Sequence, residues 1–117
     1  MLLKTRSRSK REPKGSPAYL DKVRQCPCVL CGRQAEAAHI RMSSAKHGKV
    51  NARDDRWVLP LCPGHHRLDQ DAQHNSGEAQ WWDRQTIDPL ATAARLWAVR
   101  SDLDAMQKVS QFPTRRT

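Results

Sequence analysis

Large apolar side chains are scarce in this 117-residue chain: it has one Tyr, one Phe and four Trp. Long apolar runs are missing too. No stretch approaches the ~20 residues that a membrane-spanning helix needs, and Met1-Leu2-Leu3 is too short for a signal-peptide core. These absences lead to the expectation of a cytoplasmic protein with no membrane contact. Acidic residues are outnumbered, 12 Asp and Glu against 21 Lys and Arg, for a formal charge of +9. A surplus of that size at this length suits a phosphate backbone, with salt-sensitive affinity, although charge alone does not separate DNA from RNA. The length supports one domain whose modest core would ordinarily want a staple. In a reducing compartment, four Cys suggest metal ligation before disulfides.

In chain order, residues 1–16 carry Lys4, Arg6, Arg8, Lys10, Arg11 and Lys14 among Ser, Pro and Gly, with no apolar periodicity. They read as a basic arm, disordered until it meets a polyanion. The folded domain is expected over residues 17–110, followed by a basic, frayed tail over 111–117. Ser16-Pro17 reads as an N-cap and first-turn proline, opening a short helix whose apolar stripe includes Tyr19 and Val23. A first strand is expected over residues 36–40 and a second over 57–61. Between them lies a polar, irregular loop in which Lys46, Lys49 and Arg53, with Arg41 beside it, are candidates to touch phosphate. His47 in that loop is read as solvated. A helix starts near Pro63 and runs past His74 to the Asn75-Ser76-Gly77 breaker. Helix resumes from Glu78 with Trp81 packed inward. Asp88-Pro89 then starts one last helix, through Leu90, Ala94, Trp97 and Ser101 to near Lys108.

Cys28-Val29-Leu30-Cys31-Gly32 is a C-x-x-C-G knuckle, in which the Gly permits a tight turn. Alone it is ambiguous between zinc and redox use. Cys62-Pro63-Gly64-His65 supplies a second pair at the same spacing about thirty residues on. Together the half-sites predict a closed structural zinc site made by Cys28, Cys31, Cys62 and His65, with Cys26 left over.

The histidines gather between His39 and His74. Phosphodiester hydrolysis needs a base to deprotonate water and a cation to offset charge on phosphate. A neutral imidazole suits the first task, and His39, projecting from the first strand, is the candidate. His66 is the candidate ligand for a catalytic divalent ion such as Mg²⁺. Adjacent helix residues point roughly 100° apart, so His65 can face the zinc while His66 faces a groove. Asp69 lies within helical reach of His66. His74 is eight residues away, about 12 Å along an unbroken helix, so it shares an ion with His66 only if the helix bends or stops between them.

PCVLCG, EAAHIR, DDRWVLPLCPGHH and QHNSGE together resemble the HNH endonucleases of the ββα-metal class. The closest likeness is to small phage and prophage members that begin with YL-x-x-VR-x-x-PC-x-x-CG, and it covers residues 19–90. The resemblance implies a small zinc-stabilised α+β (ββα-metal) fold and metal-dependent nicking or double-strand cleavage of DNA. It places His39 as general base and His66 as helix metal ligand. The family's second helix histidine usually follows four residues later, whereas here His74 follows eight later. The family's middle Asn, which orients the base, is matched by Trp57, with Asp55 the nearest polar substitute. Ala38 stands where relatives often have a metal-binding Asp or His. Small members of this class also serve as phage packaging or recombination partners. The alternative to catalysis is a zinc-stabilised DNA-binding module in which the histidines are structural.

Overall fold

A computed structural model describes residues 15–44, 48–49, 54–69, 72–73 and 77–116, with residues 43, 44, 48 and 49 described as backbone only. The chain is mixed α+β. Its order is α1 (Pro17–Arg24), β1 (Glu36–His39), β2 (Ser43–Ser44), β3 (Gly48–Lys49), β4 (Val58–Leu61), a π-helical turn (Gly64–Leu68), α2 (Glu78–Gln85), α3 (Pro89–Ala98) and α4 (Leu103–Gln111). Among the described residues no helix is long and apolar enough to cross a membrane.

Helix α1 starts as its sequence dictates, with Pro17 at the first helical position where a missing N–H costs nothing. Ser16 does not cap it through its side chain. Instead the Ser16 backbone N–H donates to Asp55 Oδ2 at 2.7 Å, tying the start of the domain to the turn before β4. Tyr19 and Val23, four apart, form the buried face. Burial, foremost, holds the Tyr19 phenol well above its ordinary range.

Strands β1 and β4 pair antiparallel, with Glu36 opposite Leu61, Ala37 opposite Pro60, Ala38 opposite Leu59 and His39 opposite Val58. Val58, Leu59 and Leu61 are fully buried, as are Ala38 and Ile40 beside them. The small Ala38 lets helices close over the strand pair. Pro60 is tolerated because a two-stranded sheet consists only of edges. Its carbonyl accepts from Val29 N–H at 3.1 Å, which fastens the cysteine knuckle to β4. The other side of the core is Trp81, Trp82, Ile87, Leu90, Leu96 and Met106, each at most 1% exposed. Trp81 and Trp82 meet edge to face at 4.8 Å, so both indoles are core.

Four expectations are corrected. The loop over residues 41–54 is not wholly irregular, because Ser43 pairs with Lys49 and Ser44 with Gly48. The helix expected through His74 ends at Leu68: Asp69 turns extended (φ −74°, ψ 152°) and its N–H closes on the Gly64 carbonyl at 3.0 Å. The last helix is two helices. Asp102 accepts from Ala105 N–H at 3.2 Å and so caps a new helix, α4, after the turn that closes α3. The tail is not frayed over its described part. Asp88 N–H donates to the Thr114 carbonyl (2.9 Å) and Arg116 N–H to the Thr86 carbonyl (3.1 Å), a short β-bridge against the α2–α3 junction.

Candidate metal centre and imidazole sites

Cys28 and Cys31 come from the knuckle after α1, and Cys62 and His65 from the end of β4 and the π-helical turn. Gly32, at φ +78°, takes the left-handed position that turns the knuckle, and its N–H closes on the Cys28 carbonyl at 2.9 Å. The four ligand atoms of Cys28, Cys31, Cys62 and His65 all lie within 4.8 Å of one another. Cys31 Sγ is 3.7 Å from Cys62 Sγ, and His65 Nδ1 is 3.2 Å from Cys62 Sγ and 3.8 Å from Cys28 Sγ. A tetrahedral zinc with bonds of about 2.3 Å to sulfur and 2.0–2.1 Å to nitrogen gives edges of about 3.8 Å and 3.6 Å. The Cys31–Cys62 and Cys28–His65 separations lie close to those edges and the Cys62–His65 one is shorter, so the donor set is of the kind and spacing that suits zinc. Leu30 N–H points at Cys28 Sγ (3.4 Å) and His65 N–H at Cys62 Sγ (3.5 Å), two donors that favour thiolate. A Cys3His set occupies all four positions, the arrangement of a structural rather than an open site. Cys26 stays outside it, buried, with its thiol pushed up by that burial.

His39 and His66 each meet a carboxylate. His39 Nε2 lies 2.6 Å from Asp55 Oδ1, and Asp55 is only 6% exposed. A carboxylate accepts and cannot donate, so Nε2 carries a proton, and in the neutral ring, which is partly open to solvent, Nδ1 keeps the lone pair. The other oxygen of Asp55 is the one held by Ser16. His66 Nδ1 lies 2.8 Å from Glu36 Oε1, which by the same reasoning leaves Nε2 as the basic nitrogen. Arg67 clamps the same carboxylate through Nε (3.0 Å) and Nη2 (2.7 Å). The Arg67 guanidinium foremost, with His66 adding to it, holds the Glu36 carboxyl down to about 2 against an opposing push from burial. Glu36 in turn raises Arg67.

The two pairs sit at opposite ends of β1, His39 opposite Val58 and Glu36 opposite Leu61. Among the described residues no second group of three or more His, Cys, Asp or Glu ligand atoms converges. Asp69 is folded back over the turn, its carboxylate 3.0 Å from where a Cβ on Gly64 would stand. Of the candidate phosphate contacts, Arg41 is exposed, and its N–H reaches both oxygens of Glu78 at 3.2 Å. His74, His47, Lys46 and Arg53 lie outside the described residues, as does the side chain of Lys49.

Sequence reasoning passed over Gln73 and Glu78. Gln73, 2% exposed, donates from Nε2 to the His39 carbonyl (3.1 Å) and to Glu78 Oε2 (2.8 Å). Trp82 Nε1–H donates to that same oxygen at 3.1 Å. The backbone of His39 is thus fixed from α2, while its ring is fixed by Asp55. Glu78 stands in the first turn of α2, where an acid is ordinary, so only the fold reveals its second use.

No curated protein and no solved structure matches the chain. Residues 5–85, which take in most of the basic arm, the Cys3His cluster, both imidazole pairs and α2, match the family described as protein of unknown function (DUF968), and the chain belongs to that family.

Proposed function

We propose that this chain is a zinc-stabilised DNA-binding module. The Cys3His cluster carries the reading: its closed donor set ties the knuckle, β4 and the π-helical turn together in a domain with a small core. The surface it supports belongs to a chain of charge +9 with a strongly basic first fourteen residues. Binding of this kind is dominated by phosphate contacts and falls steeply with salt. The test is titration of duplex DNA with the zinc-loaded protein, repeated after chelation. Salt-dependent binding that disappears with the metal is the expected result, and absence of binding at low salt refutes the reading.

One observation favours a second reading, metal-dependent phosphodiester hydrolysis of the HNH type. The His39 ring is held through Nε2 by the buried Asp55 and is itself partly open to solvent, so that its neutral form offers Nδ1 as the basic nitrogen, which is what a general base requires. In that reading Asp55 takes the orienting role, and His66, through Nε2, would hold a divalent ion together with His74 or Asp69. Wild-type protein should then nick supercoiled plasmid with added Mg²⁺, Mn²⁺ or Ni²⁺. His39→Ala should abolish nicking while DNA affinity and zinc content stay near wild type. If the wild type never nicks with any of these ions, the hydrolytic reading fails and the binding module stands.

A further inference from the structure

Away from the zinc cluster and the imidazole pairs, a cleft of about 260 Å³ opens between α1 and the C-terminal end of α3, lined among others by Ser16, Tyr19, Lys22, Trp97, Arg100 and Ser101. Its cations are held in place. The Arg100 guanidinium stacks 4.1 Å above the Trp97 ring, and its Nη1 donates to the Trp97 carbonyl at 3.0 Å. Trp97 is supported from below by the edge of Tyr19, with ring centroids 4.8 Å apart. Lys22 Nζ donates to the Arg100 carbonyl at 2.7 Å, which brings the second cation to the same rim. Each retains further N–H donors, since an ammonium has three and a guanidinium five. The acids that adjoin these residues in sequence or through Ser16 are engaged: Asp21 pairs with Arg24 at 2.8 Å, Asp102 caps α4, and Asp55 is held between Ser16 and His39.

Ser16 lines this cleft, and the chain that precedes it carries six Lys and Arg against one Glu over residues 1–14. The same Ser16 is bonded to Asp55, which holds His39. We propose that Lys22, Trp97 and Arg100 form a phosphate-backbone docking cleft for DNA that leads the strand past Ser16 toward His39. The proposal rests on the DNA-binding reading and names the surface that does the binding. Preorganised Arg and Lys cost little ordering entropy when they meet phosphate, and the partly buried Trp97 indole in the cleft wall offers a base or sugar an apolar contact.

The experiment measures affinity of the full-length, zinc-loaded protein for a short duplex DNA as a function of salt. Each phosphate that is no longer neutralised lowers the slope of log K against log salt by about 0.9. The Lys22→Gln/Arg100→Gln double variant should therefore lose roughly 1.8 from the slope, and on the order of tenfold in affinity near physiological salt. Lys22→Gln alone, which leaves the Arg100–Trp97 stack intact, should lose about half of that, and keeps the test alive if the double variant folds poorly. Neutralising Lys10, Arg11 and Lys14 to Gln should lower the slope further, and the Trp97 indole N–H resonance should move on DNA addition. Wild-type binding with an unchanged slope in both cleft variants overturns the cleft while leaving the DNA-binding reading intact. Absence of any wild-type binding overturns that reading instead, and the cleft with it. Equal competition by polyglutamate would assign the cleft to an acidic protein and also overturn the proposal.

Discussion

Replacing Asp55 by Asn should turn the His39 ring over electronically without moving it. Asp55 is 6% exposed and accepts twice, from His39 Nε2 at 2.6 Å and from Ser16 N–H at 2.7 Å. Asn has one acceptor oxygen. The backbone N–H has no alternative tautomer, so the oxygen goes to Ser16 and the amide NH₂ faces His39. Nε2 must then become the acceptor, which places the ring proton on Nδ1 and removes the lone pair there. Two charge-assisted hydrogen bonds become neutral ones, roughly half as strong, at a cost of about 1–2 kcal/mol. Asp55→Ala should cost more, about 2–4 kcal/mol, because it leaves the Ser16 and His39 donors without an acceptor. Imidazole ¹⁵N shifts, recorded where the ring is neutral, report the tautomer directly, and urea denaturation reports the stability. Retention of the Nε2–H form in Asp55→Asn, with stability unchanged, would show that the carboxylate does not orient this ring.

Other perturbations separate the remaining elements. Cys31→Ser should lower bound zinc below one per chain by metal analysis and depress Tm by several degrees, and unchanged metal content would remove the cluster assignment. Gln73→Leu should cost about 2–3 kcal/mol in denaturant unfolding, since it takes a buried donor from both the His39 carbonyl and Glu78. An unchanged midpoint would rule out that bridge. Glu36→Gln should cost about 0.5–1 kcal/mol at neutral pH, the scale of a partly exposed ion pair. Because the folded carboxyl titrates at about 2, below the ordinary Glu value, its contribution is complete above pH ~4.5 and fades as pH falls toward 2. The gap between wild type and Glu36→Gln should thus narrow as pH falls from about 4.5 toward 2; a gap that widens over that range would contradict it.

The Cys3His cluster was legible because two C-x-x-[CH] half-sites state their chemistry in one dimension. The strand pair was legible too, since Val58-Leu59-Pro60-Leu61 is a continuous apolar run and Ala38 and Ile40 alternate with His39. What escaped was set by hydrogen bonds between distant residues. Nothing before Asn75 marks a helix stop, yet the helix ends at Leu68, where the Asp69 N–H closes on Gly64 in a wider turn. Val99 to Asp102 reads as helix by spacing, and the Asp102 cap breaks it. Gln73, as an amide among polar neighbours, gives no sign of its burial under the His39 carbonyl. The Asp55–His39 pairing depends on the turn that brings residues 54–57 back over β1, a matter of register rather than of composition.

That register bears on how the two imidazoles can work together. Glu36 and His39 are three residues apart on β1, about 10 Å of strand, and alternate residues face opposite sides. One divalent ion with bonds of about 2.1 Å holds its donors within about 4.2 Å of each other. Hydrolysis with His39 as base and an ion held at His66 therefore puts a phosphate or water between the two sites, whereas two structural pairs require nothing between them. A double-mutant cycle distinguishes these cases. Without metal or DNA, the stability losses of Asp55→Asn and Glu36→Gln should add within about 0.5 kcal/mol, as for sites with no common partner. With Mg²⁺ and DNA present, additivity should persist if both pairs are structural. A coupling of about 1 kcal/mol or more that emerges only with both ligands would mean that the substrate joins the two imidazoles, and would move the balance from binding module to nuclease.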